Sequence, residues 1–157
     1  MKHVTLVFLR RGDEILLAMK KRGFGVNKWN GAGGKVEDGE TPLQAAVREA
    51  EEEIGVTPRN LQKVGEIDFY LKEEPDFNHY AHIYTVTEWH GEPQETEEMR
   101  PQWFPLAQIP YDRMWGDDKY WLPDALAGKR FKATYKLDKD DNIVESDVKY
   151  LKEGEEF

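Results

Sequence analysis

The residues from Thr41 to Gly55 dictate a helix before the rest of the chain is considered. Thr41 is a good N-cap, Pro42 takes the first helical position, and Gln44 completes a Thr-x-x-Gln capping box. Gly55 supplies the stop, with Pro58 beyond it. At about 100° per residue, Leu43, Ala46, Val47, Ala50 and Ile54 fall on one side, the expected core face, and Glu49, Glu52 and Glu53 fall on the opposite side. The three glutamates are related by i, i+3 and i+4 spacing, so their carboxylates converge and repel one another unless a cation joins them. A hard divalent ion such as Mg²⁺ takes oxygen ligands of this kind together with substrate phosphates. A solvated acidic helix face carries the same run of charges, and within this segment the two readings stay open.

Around that helix the pattern is mostly strand. Val4 to Leu9 and Glu14 to Met19 read as a hairpin turning at Arg11, Gly12 and Asp13, followed by a glycine-rich loop from Gly23 to Gly34. Val64 to Leu71 and Tyr80 to Trp89 read as sheet strands. Lys119 to Leu126 reads as a second short helix with Asp117 or Asp118 at its start, and Ala133 to Tyr150 as a last hairpin around Asp140, Asp141 and Asn142. Strands and two helices intermixed in this way predict an α/β or α+β sandwich. No linker or repeat divides the 157 residues, so a single domain over 1–157 is expected.

Composition narrows the chemistry. There is no cysteine and the only serine is Ser146, which removes the key atom from thiolate, serine-triad, zinc-finger and disulfide readings. A net charge of −9 argues against nucleic acid polymers and anionic membranes as partners. The longest N-terminal apolar run, Val4 to Leu9, is too short for a signal or membrane segment, so a cytoplasmic protein is expected. A phosphate-rich ligand would need a metal or a local basic patch. Residues 10 to 28 carry six basic and two acidic side chains, Lys20, Lys21 and Arg22 among them, which is either such a patch or a solvated strand end. Gly34-Lys35 is followed by Val36 and has no glycine five residues before it, so a P-loop is excluded. His79 and His82 are given no role, since an i, i+3 pair on a strand or loop is an ordinary surface feature.

From Gly34 to Val56 the sequence reads GKVEDGETPLQAAVREAEEEIGV. Gly34, Glu40, Arg48, Glu49, Glu52, Glu53 and Gly55 stand at the spacing G-x5-E-x7-R-E-U-x-E-E-x-G-U, where U is aliphatic and Ala50 is a small occupant of its place. This resembles the Nudix box over its full length. The resemblance implies an α/β/α sandwich with a mixed β-sheet and two main helices, and Mg²⁺-dependent hydrolysis of a nucleoside diphosphate linked to another group, with Mn²⁺ as a substitute ion. It further implies metal contacts from Glu49, Glu52, Glu53 and the Gly33 carbonyl, with one of the glutamates orienting or deprotonating water. Glu40 and Arg48 match the pair that ties loop to helix, through a charge-assisted bond.

Outside the box, MKKRGFG (Met19 to Gly25), WNGAGGKV (Trp29 to Val36), EEMRPQWF (Glu97 to Phe104) and QIPYDRMWGDDKYW (Gln108 to Trp121) resemble the vertebrate family members that hydrolyse oxidised purine nucleoside triphosphates such as 8-oxo-dGTP and 2-oxo-dATP. That likeness implies a base pocket lined by Asn30, Trp115, Asp117 and Asp118, with Thr5, Lys20, Phe24, Phe69 and Met99 nearby. It places Ala32, Gly33, Gly34, Lys35 and Gly116 among the substrate contacts and Glu98 beside the metal. An aromatic supplies a stacking face, and neighbouring carboxyls that share a proton offer both a donor and an acceptor. Trp115 as a core aromatic and Asp117 as a simple helix cap are the plainer readings of the same residues. Ala32 and Leu71 stand where the vertebrate proteins carry bulky aromatics, which predicts a wider pocket. The products expected are a nucleoside monophosphate and pyrophosphate, from a monomer acting on a small nucleotide. A methylated or ordinary purine nucleotide, or a non-catalytic sensing module, are the alternatives.

Overall fold

The alternation of apolar side chains in the first twenty residues produces the expected hairpin, β1 (Lys2–Arg11) and β2 (Glu14–Lys20), turning through Gly12 in a left-handed conformation. A computed structural model describes residues 1–157. After the short β3 (Trp29–Asn30) come α1 (Pro42–Ile54), β4 (Thr57–Arg59), β5 (Gln62–Leu71), β6 (His79–Val86), β7 (Glu88–His90) and β8 (Met99–Pro105). The chain ends with α2 (Asp118–Leu126), β9 (Phe131–Leu137) and β10 (Ile143–Tyr150). The main sheet runs β10-β9-β5-β6-β1-β2-β3, with β8 also on β2, while β4 and β7 pair separately. It is mixed: β1 lies parallel to β6 and β5 parallel to β9, and the remaining neighbours are antiparallel.

Because side chains alternate along each strand, the sheet has two apolar faces. On one, Val7, Leu9, Leu16, Ala18, Tyr84 and Val86 pack against Ala46, Ala50 and Ile54 of α1. On the other, Phe8, Leu17, Ile67, Ile83, Phe131 and Tyr135 pack with Trp121, Leu122 and Ala125 of α2. The result is the α/β/α sandwich with a mixed sheet. No helix is long and apolar enough to cross a membrane.

One irregularity places the site. β1 and β2 pair only at Arg10 with Ile15 and Arg11 with Glu14, and towards the start of β1 they part. The glycine-rich segment that follows β3 fills the gap. Thr5 N–H donates to the Gly34 carbonyl at 2.9 Å, Val7 and Ala32 exchange backbone hydrogen bonds, and Val36 N–H donates to the His3 carbonyl at 2.8 Å. The exposed backbone edge of β1 is thereby satisfied by a loop instead of a strand.

Several expectations need correction. The run from Tyr80 to Trp89 is two strands, because β7 leaves the sheet to pair with β4. β8 is an additional strand; it carries Pro101 and Pro105 and lies only against β2, where a missing N–H is tolerated. On α1, Leu43 is exposed, whereas Ala45 and Glu53 are buried beside Ala46, Ala50 and Ile54. The helix is therefore rotated relative to the expected face, so that Glu53 points inward and is not opposite the core.

The capping of α1 is as the sequence requires: Gln44 N–H donates to Thr41 Oγ1 at 3.1 Å and Thr41 N–H donates to Gln44 Oε1 at 2.9 Å. Gly55 closes the helix in the left-handed conformation. Thr41→Ala is expected to lower stability by about 1 kcal/mol, measured as a shift of the urea midpoint with an unchanged denaturant slope.

Candidate active site

The glycine loop is pressed flat against two elements at once. A Cβ on Gly33 would sit 1.8 Å from the Thr5 carbonyl oxygen, and one on Gly34 would sit 2.6 Å from the Glu49 carboxyl carbon. The backbone clash requires glycine at Gly33, whereas a side chain at Gly34 would displace the Glu49 carboxyl. The loop is also pinned from α1, since Gly33 N–H donates to Glu53 Oε2 at 3.1 Å. A second tie runs through Arg48, which makes a bidentate bond to Glu40 at 2.7 and 2.9 Å and donates to the Lys35 carbonyl at 3.0 Å. That bond holds Glu40 down at a pKa of about 2.

The three glutamates of α1 occupy unequal environments. Glu52 is exposed, while the Glu49 side chain is mostly covered and Glu53 is buried. Arg48 donates to Glu49 at 2.9 Å and to Glu52 at 3.3 Å. Burial raises the Glu49 carboxyl, and it raises Glu53 to about 8 against the single opposing Gly33 hydrogen bond; the charges of Glu49 and Glu98 push Glu53 the same way, and Lys20 counters them. Glu98 itself is paired with Arg22, whose Nε lies 3.0 Å away. As placed, no three carboxyl or imidazole groups close around a single point.

Against this loop, on the α2 side of the sheet, lies a cavity of about 160 Å³. Of the residues predicted for the substrate site, Thr5, Lys20, Phe24, Asn30, Gly33, Gly34, Phe69, Met99, Trp115, Asp117 and Asp118 line it. Lys35, Ala32 and Gly116 do not. Lys35 lines a groove on the outer side of the box loop, and Ala32 is buried between the sheet and α1. Leu71 is also absent from the cavity wall and lines a second space behind Trp115. The predicted widening thus falls beneath the helix and behind the aromatic, not within the cavity.

His79 and Lys28, given no role from sequence, line the cavity as well. His79 stacks on Phe69 with ring centres 4.7 Å apart. Its place follows from the parallel pairing that sets its Cα opposite Lys2 of β1, a long-range register that local spacing does not report. The basic patch is largely consumed: Lys21 pairs with Glu95, Arg22 with Glu98, Arg11 with Glu14 and Lys28 with Asp141. Arg10 donates to the Leu126 carbonyl. Lys20 is left without a carboxylate partner and faces the cavity beside Glu53.

Asp117 and Asp118 form the deep end. Both are buried, at 3% exposure each, and both carboxyls are raised by that burial; the charge of Asp117 raises Asp118 further. Asp117 makes no capping bond to α2 and instead accepts from Trp121 Nε1 at 2.9 Å. One oxygen of each carboxyl, Oδ1 of Asp117 and Oδ2 of Asp118, has no hydrogen-bond partner. Unpartnered buried oxygens are costly, and two of them side by side in a cavity wall mark a place prepared for a ligand's polar edge.

The NUDIX domain family profile matches residues 1–125. The chain belongs to the Nudix family. It is 48% identical over 144 residues, 92% of each chain, to the oxidized purine nucleoside triphosphate hydrolase of Danio rerio. It is 46% identical over 140 residues, 89% of each chain, to the protein of the same name from Mus musculus. Among solved structures, a MutT protein from Bacillus halodurans superposes with a TM-score of 0.83 over 94% of this chain and 97% of its own, at 24% identity, which speaks for the Nudix fold alone.

Glu53 generates a pH prediction. The folded state holds its proton up to about pH 8, whereas the unfolded chain releases it near 4.5, so folding takes up a proton between those limits. Stability of protein kept in a chelator should therefore fall as pH rises from about 5 to about 8, and Glu53→Gln should flatten that slope. Melting temperature followed by circular dichroism across this range checks it; an equal slope in the variant would contradict the assignment.

Proposed function

We propose that this Nudix protein hydrolyses oxidised purine nucleoside triphosphates, 8-oxo-dGTP and 2-oxo-dATP among them, to the monophosphate and pyrophosphate with Mg²⁺. The observation that carries the reading is the pair of unpartnered carboxyl oxygens on Asp117 and Asp118, set in a cavity also lined by Lys20 and by Gly33, whose N–H donates to Glu53 of α1. The identity to vertebrate proteins named for this activity supports it.

Each part of the substrate has a fitting counterpart. The base stacks on Trp115 and meets Asn30 and the two aspartates along its polar edge. Since burial and mutual repulsion keep a proton on the pair, one carboxyl donates and the other accepts, and a shift of that proton lets the pocket take either a guanine-type or an adenine-type edge. Lys20 draws the phosphates towards the glycine loop.

Glu49, Glu52, Glu53, Glu98 and the Gly33 carbonyl are the metal contacts in this reading. The donor set is all oxygen, which suits a hard divalent ion, and Glu53 is the group that fits it best: a buried carboxyl already destabilised as an anion by Glu49 and Glu98. Arg48 and Arg22 release Glu49, Glu52 and Glu98 for this purpose, while Arg48 keeps its bidentate bond to Glu40. Bound there, the ion supplies charge neutralisation of the phosphate oxygens and a more acidic water. Glu49, Glu52 and Glu53 would hold the ion, and one of them would orient or deprotonate the attacking water. All of these groups come from one chain, so a monomer suffices.

Pyrophosphate release measured across oxidised, methylated and ordinary purine nucleoside triphosphates with Mg²⁺ tests the reading, with the oxidised substrates expected to give the highest kcat/KM. Equal values across the panel would overturn the substrate assignment. Glu53→Gln is expected to lower turnover by about two orders of magnitude or more. Asp117→Asn and Asp118→Asn are expected to change the ratio of kcat/KM between the oxidised guanine and adenine substrates, and unchanged ratios in both would remove the aspartates from base recognition.

A further inference from the structure

Phe24, Lys28 and Trp115 line two cavities at once, the base cavity and a second space behind it, about 230 Å³, that is also bounded by Leu71, Asp138 and Asp141. They form a partition backed by open space. Phe24 and Phe69 pack on the Trp115 ring, with centres 5.0 and 5.5 Å away, and the open space leaves its packing from behind incomplete.

A polar tie to the partition comes in addition from one residue of the β9–β10 turn. Gly116 N–H donates to Asp141 Oδ1 at 3.1 Å, and Asp141 Oδ2 lies 3.7 Å from Lys28 Nζ. Lys28 Nζ in turn sits 4.9 Å from the centre of the Trp115 ring, on its face. The contact at Gly116 is closely built: a Cβ there would lie 2.3 Å from the Asp141 carbonyl oxygen. The turn is itself rigid, because Asp138 Oδ1 accepts from the backbone N–H groups of Asp140 at 2.8 Å and Asn142 at 3.0 Å, and Asp141 is held in the left-handed conformation. Asp141 lies beyond residues 1–125, the part that matches the family profile.

We propose that Asp141 is a positioning residue for the base cavity, one that sets the plane of Trp115 by holding Gly116 N–H and the Lys28 ammonium on the two oxygens of one carboxylate. The proposal rests on the reading of that cavity as a purine site. It explains why a turn far along the chain meets the Trp115-Gly116 segment with no room for a side chain. It also makes the C-terminal hairpin part of substrate recognition, although it supplies no wall of the base cavity.

The test uses two readouts on the full chain. The first is acrylamide quenching of Trp115 fluorescence, isolated by subtracting the signal of Trp115→Phe, and needs no substrate. The second is the split between KM and kcat for 8-oxo-dGTP. Asp141→Ala should raise quenching and raise KM about tenfold, the order expected for losing a charge-assisted hydrogen bond, with kcat within about twofold. Asp141→Asn, which keeps an acceptor for Gly116 and loses the charge, should fall between Asp141→Ala and the parent protein in both. Lys28→Met should raise quenching by itself and guards against a misfolded aspartate variant. Quenching at the parent level in both Asp141→Ala and Lys28→Met would overturn the proposal, as would an Asp141→Ala loss confined to kcat. Failure of the parent protein to favour oxidised purines would instead count against the substrate assignment, and the quenching comparison would still report whether Asp141 holds Trp115.

Discussion

The docking of the glycine loop into the gap between β1 and β2 is the constraint on which the site depends. Where those strands part, β1 would be left with unpaired backbone groups, and residues 32 to 36 satisfy them. Glycine at Gly33 allows the approach to the Thr5 carbonyl, and Gly34 leaves the Glu49 carboxyl where it stands. The same loop touches the cavity on the α2 side and Glu53 on the α1 side. A single segment thus joins the cavity that holds Asp117 and Asp118 to the carboxylate cluster of α1.

Charge is arranged around that segment in pairs that differ in permanence. Arg48 and Glu40 form a bidentate link that is structural, whereas the contacts of Arg48 to Glu49 and Glu52 are single bonds that a divalent ion can replace. Most of the basic side chains between residues 10 and 28 are neutralised locally, so Lys20 is the cation left facing the cavity. The net charge of −9 is therefore no obstacle to a polyphosphate: much of it is concentrated in the segment from Gly34 to Val56, and much of the rest in the terminal hairpin and tail.

The parts of this architecture that were legible in the sequence are those carried by local rules. The capping box of α1, its glycine stop, the N-terminal hairpin and the terminal hairpin are each decided by a few neighbouring residues, and each forms where those residues stand. β8 was hidden because its two prolines oppose strand formation locally and are tolerated only by its position against β2. The orientation of α1 departs from its periodicity, which ranks Leu43 above Glu53 as a core residue, because the loop offers Glu53 a backbone N–H while Leu43 stays exposed.

By itself the sequence determined the family, the all-oxygen donor set on α1, and the identity of most side chains lining the cavity, since motif spacing preserves these wherever the chain goes. Tertiary structure alone decided which glutamate is withdrawn from water, which lysine remains unpaired, and that Ala32 and Leu71 sit outside the cavity they were expected to widen. It also brought His79, Lys28 and Asp141 to the site. Burial, pairing and proton affinity depend on what packs against a residue from distant strands, and a one-dimensional spacing holds no record of those neighbours.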